Sequence, residues 1–178
     1  MAAGPKRAFS ASPEAKVVLE EARSTGIRIF VETGTYYGLM LQACLEHFDA
    51  LYSIEIEPHF YRRARKVFGR DPKVTLLHGD SAELLPRLLA VIESPCLFWL
   101  DAHYSGGLTG RAKADTPIHG ELEAIFKHRC KHVVMIDDAE CFDGPNEYPR
   151  IERVAETAME HGYVFSRDHS IVRLEPSV

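Results

Sequence analysis

The sequence predicts an α/β fold: a doubly wound, mostly parallel sheet of seven strands that ends in an antiparallel hairpin. Three observations predict it. Short apolar runs alternate with longer amphipathic ones along the chain, the rhythm of repeated strand–helix units. The first five of these runs are almost continuously apolar, as strands covered on both faces must be. The last two, 162–165 and 170–174, flank the polar turn Arg167-Asp168-His169 and so read as a hairpin.

Taken in order, residues 1–12 carry Gly4 and Pro5 and are expected to be loosely held, with a single domain over 13–178. A length of 178 residues suits one layered core. Strands are predicted over 27–32, 50–55, 74–78, 96–101 and 132–137. Helices are predicted over 13–24, 37–48, 58–68, 81–92, 117–129 and 149–161. Two segments resist regular assignment, 104–116 and 143–148, and both follow predicted strand ends. Ligands of open parallel sheets bind beyond the carboxyl ends of strands, and long loops there are more often functional than decorative. Gly106, Gly107 and Gly110 make 104–116 a candidate lid over a substrate.

Composition narrows the function. With 46% hydrophobic, 10% aromatic and 26% charged residues, the chain is neither disordered nor fibrous. Lys+Arg 21 against Asp+Glu 26 gives a net charge of -5, and no dense basic stripe occurs, which argues against nucleic acid as a partner. The apolar runs fall short of the roughly 20 residues that span a bilayer, so no membrane is expected. Cys44, Cys96, Cys130 and Cys141 form no CxxC pair, and the first residues lack an apolar signal core. They read as reduced thiols of a cytoplasmic protein.

The chemistry gathers at the predicted strand ends. The first strand runs into Glu32-Thr33-Gly34-Thr35-Tyr36-Tyr37-Gly38, where glycines let a ligand approach the backbone or merely allow a tight turn. The second ends near Glu55, an acid suited to ribose hydroxyls unless it is simply solvated. After the third come Asp80 and Ser81, candidates for an adenine edge that also read as a capping box with Ala82 and Glu83. The fourth supplies Asp101 and the fifth Asp137-Asp138. Neighbouring strands lie about 5 Å apart, so these carboxylates must bind a cation, share protons or point apart. Oxygen ligands alone would suit Mg²⁺ or a similar hard divalent ion. His103, two residues beyond Asp101, is the candidate general base. The other histidines form no zinc pattern, and neither G-x-S-x-G nor a P-loop occurs, which argues against a serine hydrolase and a P-loop nucleotidase.

From Ile27 to Leu174 these motifs resemble the class I S-adenosylmethionine-dependent methyltransferases, whose fold is Rossmann-like. The resemblance implies S-adenosyl-L-methionine as cofactor. Glu32, Gly34 and Gly38 match the methionine-side turn, Glu55 the ribose acid, and Asp80-Ser81 the adenine site. Asp101 with Asp137 and Asp138 looks like the metal site of catechol and macrolide-sugar O-methyltransferases, with Asp101 also at the cofactor's edge. The residue two after the first metal aspartate is an acidic base in the sugar branch, and His103 takes that place here. The runs LDAHYSGG, DTPI, EL and IDDAECF are similar to those of small bacterial methyltransferases of unassigned substrate. Tyr36 departs from the pattern, standing where many members carry a second glycine.

The resemblance thus implies Mg²⁺-assisted O-methylation of a hydroxyl on a small molecule or sugar, and leaves a homo-oligomer open. Two other readings stand beside it: a non-catalytic nucleotide or S-adenosylmethionine binding module, and a nicotinamide oxidoreductase. The missing G-x-G-x-x-G counts against the last.

Overall fold

Parallel pairing sets the frame. In the computed structural model, which describes residues 12–102, 116–143 and 148–177, β1 (Ile29–Thr33) pairs in parallel with both β2 (Ala50–Glu55) and β4 (Leu97–Leu100). β3 (Val74–His78) extends one side, and β5 (Val133–Ile136) the other. The hairpin of β6 (Tyr163–Asp168) and β7 (Ile171–Pro176) then adds antiparallel strands, with β7 against β5 and β6 at the edge. The order is β3-β2-β1-β4-β5-β7-β6. It reverses between β1 and β4, the switch point beside which open sheets hold ligands.

Strand side chains alternate between two cores. Val31, Phe98 and Val134 face one way, under α4 (Ser81–Leu89), α5 (Ile118–Lys127) and α6 (Ile151–Glu160). Phe30, Leu97 and Val133 face the other, under α1 (Pro13–Thr25), α2 (Leu39–Cys44) and α3 (Pro58–Phe68). Each of these six strand residues is at least 96% buried, as unbroken apolar runs require, whereas the edge strand β3, also expected to be covered on both faces, is only partly buried. Among the described residues no helix is long and apolar enough to cross a membrane.

The helix expected over 37–48 is shorter, and the reason is local. Tyr36 and Gly38 both have left-handed backbone, φ 48 and φ 76, which a right-handed helix cannot include. α2 therefore starts at Leu39. The expected loose segment 1–12 lies outside the described residues except for Ser12, whose hydroxyl accepts the Ala15 N–H at 3.2 Å and caps α1.

Candidate functional site

The turn after β1 is built by what glycine lacks. At Gly34, φ is 84 and an added Cβ would stand 2.3 Å from the Asp101 carbonyl oxygen. The ends of β1 and β4 approach so closely that only a hydrogen fits between them. Gly38 is similarly tight, its absent Cβ falling 2.7 Å from the Phe68 ring. Tyr36 adopts the left-handed conformation without being glycine, and its exposed ring packs on Tyr37 and Phe60.

Behind this turn Glu32 is buried. Its Oε1 accepts from Ser53 Oγ at 2.6 Å, and Ser53 Oγ lies 2.5 Å from Thr35 Oγ1. Burial pushes the Glu32 carboxyl up to about 8; the Ser53 hydrogen bond opposes this, while the Asp101 and Glu55 carboxylates add to it. At the end of β2, Glu55 Oε2 accepts the Tyr36 N–H at 2.7 Å and Oε1 the Glu57 N–H at 2.8 Å. Glu55 thus holds the β1 turn against β2. Burial raises it, and those backbone amides lower it. At the end of β3, Asp80 accepts the Ala82 N–H at 3.0 Å and caps α4, while Ser81 is buried.

The other half of the edge continues the parallel ladder by one residue on each strand. Asp101 N–H donates to Thr33 O, and Asp137 N–H to Leu100 O, both at 3.1 Å. Asp137 Oδ1 accepts the N–H of Asp138 at 2.9 Å, and Asp138 has left-handed backbone with φ 53. Burial raises Asp137 to about 6; the Asp138 amide opposes this, whereas the carboxylates of Asp101, Asp138 and Glu14 add to it. Asp101, Asp137, Thr116, Glu121 and Tyr148 line one small cavity of about 10 Å³, room for about one water. Asp138 does not line it, and neither does any Lys or Arg among the described residues.

The structure therefore places Glu32, Gly34, Gly38, Glu55, Asp80, Ser81, Asp101, Asp137 and Asp138 at or just beyond consecutive strand ends along one edge. Among the described residues, however, no group of three His, Cys, Asp or Glu side chains is arranged to hold a metal ion. His103, the expected lid over 104–116 apart from Thr116, and the centre of the second loop, 144–147, lie outside the described residues. Sequence reading passed over Glu121, which is 1% exposed. Its signal was an acid on the apolar stripe Ile118, Leu122, Ile125 of α5. Burial raises Glu121 to about 7, while the Ser81 and Thr33 hydroxyls lower it and the Asp80 and Asp101 carboxylates raise it further. The pair His128 and His132 serves packing: His132 Nδ1 accepts the Cys96 N–H at 3.0 Å, and His132 Nε2 lies 2.7 Å from His128 Nδ1.

No family model and no curated protein matches the sequence. Solved structures do match. PaMTH1, a methyltransferase of Podospora anserina solved with SAH, superposes with a TM-score of 0.68 at 15% identity, over 96% of this chain and 80% of its own. TomG, an O-methyltransferase of Streptomyces achromogenes solved with SAM, gives 0.67 at 20% identity, over 97% and 83%. NodS, an N-methyltransferase of Bradyrhizobium japonicum, gives 0.61 at 13% identity, over 93% and 95%. The chain has the fold of the class I S-adenosylmethionine-dependent methyltransferases. That fold carries both oxygen and nitrogen methylation, so the acceptor must be argued from the site.

Proposed function

We propose that this protein is an S-adenosylmethionine-dependent methyltransferase acting on a hydroxyl of a small molecule or sugar. The observation that carries the proposal is the acidic, glycine-hinged edge at the switch point of this particular fold. Bound there, the cofactor would supply an electrophilic methyl group on a positively charged sulfur. Gly34 lets the ends of β1 and β4 close up at the cleft, and the Glu55 carboxylate suits ribose hydroxyls. Asp80 and Ser81, at the end of β3, are proposed for the adenine edge, and Glu32 braces the turn from behind through Ser53. The carboxylates together favour a cationic ligand.

A hydroxyl acceptor must lose a proton as its oxygen is methylated. His103 is the proposed base, since an imidazole is half-charged near neutral pH. Asp101, Asp137 and Asp138 have the donor chemistry for Mg²⁺. Their described arrangement does not gather three ligands, so no step is assigned to a metal.

Calorimetry with S-adenosylmethionine, its demethylated product and NAD, each with Mg²⁺ and with a chelator, tests the proposal. The first two should bind and NAD should not; NAD binding, or no binding of the first two, would overturn it. A screen of acceptors with radiolabelled methyl donor then identifies the hydroxyl. In that assay His103→Ala should lose roughly 10²–10⁴ in rate with cofactor affinity unchanged, and a wild-type rate removes His103 as the base.

A further inference from the structure

Buried polar atoms without partners are rare, and each calls for an explanation. Among the described residues four side-chain atoms qualify: Glu21 Oε1, Thr33 Oγ1, Glu121 Oε1 and Arg173 Nε. Glu21 and Arg173 attract one another where α1 crosses β7, away from the strand ends. The remaining two belong together, because Glu121 interacts with the hydroxyls of both Thr33 and Ser81. They lie beneath the middle of the proposed cofactor cleft, between the end of β1 and the start of α4.

The position of Glu121 is built rather than incidental. Its neighbour Gly120 packs so closely on α4 that an added Cβ would stand 2.8 Å from the Ala82 Cβ. That contact holds the first turn of α5 against the start of α4 and drives Glu121 inward, onto the apolar stripe. Folding alone favours an aliphatic residue there, since a buried carboxyl needs a compensating partner. None is present. Its charged neighbours, Asp80 and Asp101, are both carboxylates, and the cavity it shares with Asp101 and Asp137 is lined by no described cation. A carboxyl kept in such surroundings is matched to a positive ligand.

Under the methyltransferase reading, on which this inference rests, the methyl donor and its demethylated product share every group except the methyl and the positive charge on sulfur. We infer that Glu121 is a specificity-determining residue that favours the charged methyl donor over its uncharged-sulfur product. It does so as a carboxylate that the ligand's positive charge keeps ionised beneath the cleft, where water cannot screen it. Product then leaves a site made less complementary to it by the reaction itself.

The test is the ratio of two affinities. Dissociation constants of S-adenosylmethionine and S-adenosylhomocysteine are measured by calorimetry on the wild-type chain and on Glu121→Gln. The preference for the methyl donor should fall about tenfold in the variant, with product affinity within about twofold of wild type. Equal weakening of both ligands, or an unchanged ratio, overturns the inference. Glu121→Leu provides a second measurement that does not depend on an amide fitting the site. It should unfold at a higher temperature than wild type without ligand and show the same loss of preference; a less stable leucine variant would make Glu121 structural and overturn the inference. Wild-type protein that binds neither ligand overturns the methyltransferase reading itself, whereas binding of both with an unchanged ratio overturns this inference alone.

Discussion

The two halves of the strand edge are both acidic, yet their carboxylates are held differently. At the ends of β1, β2 and β3, each acid accepts a hydrogen bond that serves the fold: Glu32 from Ser53, Glu55 from Tyr36 and Glu57, and Asp80 from Ala82. At the ends of β4 and β5, Asp101 and Asp137 face one another's charge around a small cavity, and Glu121 reaches it from α5 with a bare oxygen. The first half is finished as a structure. The second gathers Asp101, Asp137 and Glu121 around one cavity, where neighbouring carboxylates add to the rise of Asp137 and Glu121. Stability has been spent in the half where chemistry is proposed, the usual place to find it.

Gly34 is the seam between these halves, and Gly34→Ala gives the largest expected effect. It combines left-handed backbone with a Cβ 2.3 Å from a main-chain oxygen of β4. The loss should be about 3 kcal/mol or more, read from the denaturant midpoint. A variant with wild-type stability would show that the halves are not locked at this point. Next comes Glu55→Ala, within the finished half. It strips two backbone amides of their acceptor and should weaken S-adenosylmethionine binding by about 1–3 kcal/mol in calorimetry. Unchanged affinity takes Glu55 out of the cofactor site.

The smallest effect has the opposite sign and belongs to the other half. Asp137 is raised from 3.8 to about 6, so the folded chain binds more protons than the unfolded chain between those values. Stability is accordingly lost as pH rises through that window. Asp137→Asn keeps the oxygen that accepts the Asp138 amide but cannot ionise. At pH 8 it should be more stable than wild type by about 0.5–1 kcal/mol, a gain discounted for solvent screening. At pH 3.5 the two proteins should melt together. A variant less stable than wild type at pH 8 would mean that the two halves do not differ as described.

Much of this arrangement is legible in the residue order. The unbroken apolar runs mark the parallel strands because both faces of a central strand must be covered, and the acids after them fall at strand ends for the same reason. Gly34, Glu55 and Asp80 could be placed at or just beyond strand ends from their spacing alone. Tyr36 was harder, since a tyrosine gives no sign of the left-handed backbone at φ 48 that its Glu55 and Phe60 contacts hold in place. Tertiary structure alone decided what each acid meets. Whether a carboxylate finds an amide, a hydroxyl or another carboxylate depends on partners distant along the chain, such as Ser53 for Glu32. Glu121 shows this most fully: helical periodicity assigns it to the buried stripe of α5, but only the packing of Gly120 on Ala82 turns it toward Thr33, Ser81 and the strand edge. Local periodicity is a property of adjacent residues, whereas the charge environment of a buried group is set by every element packed around it, and no single segment of sequence contains it.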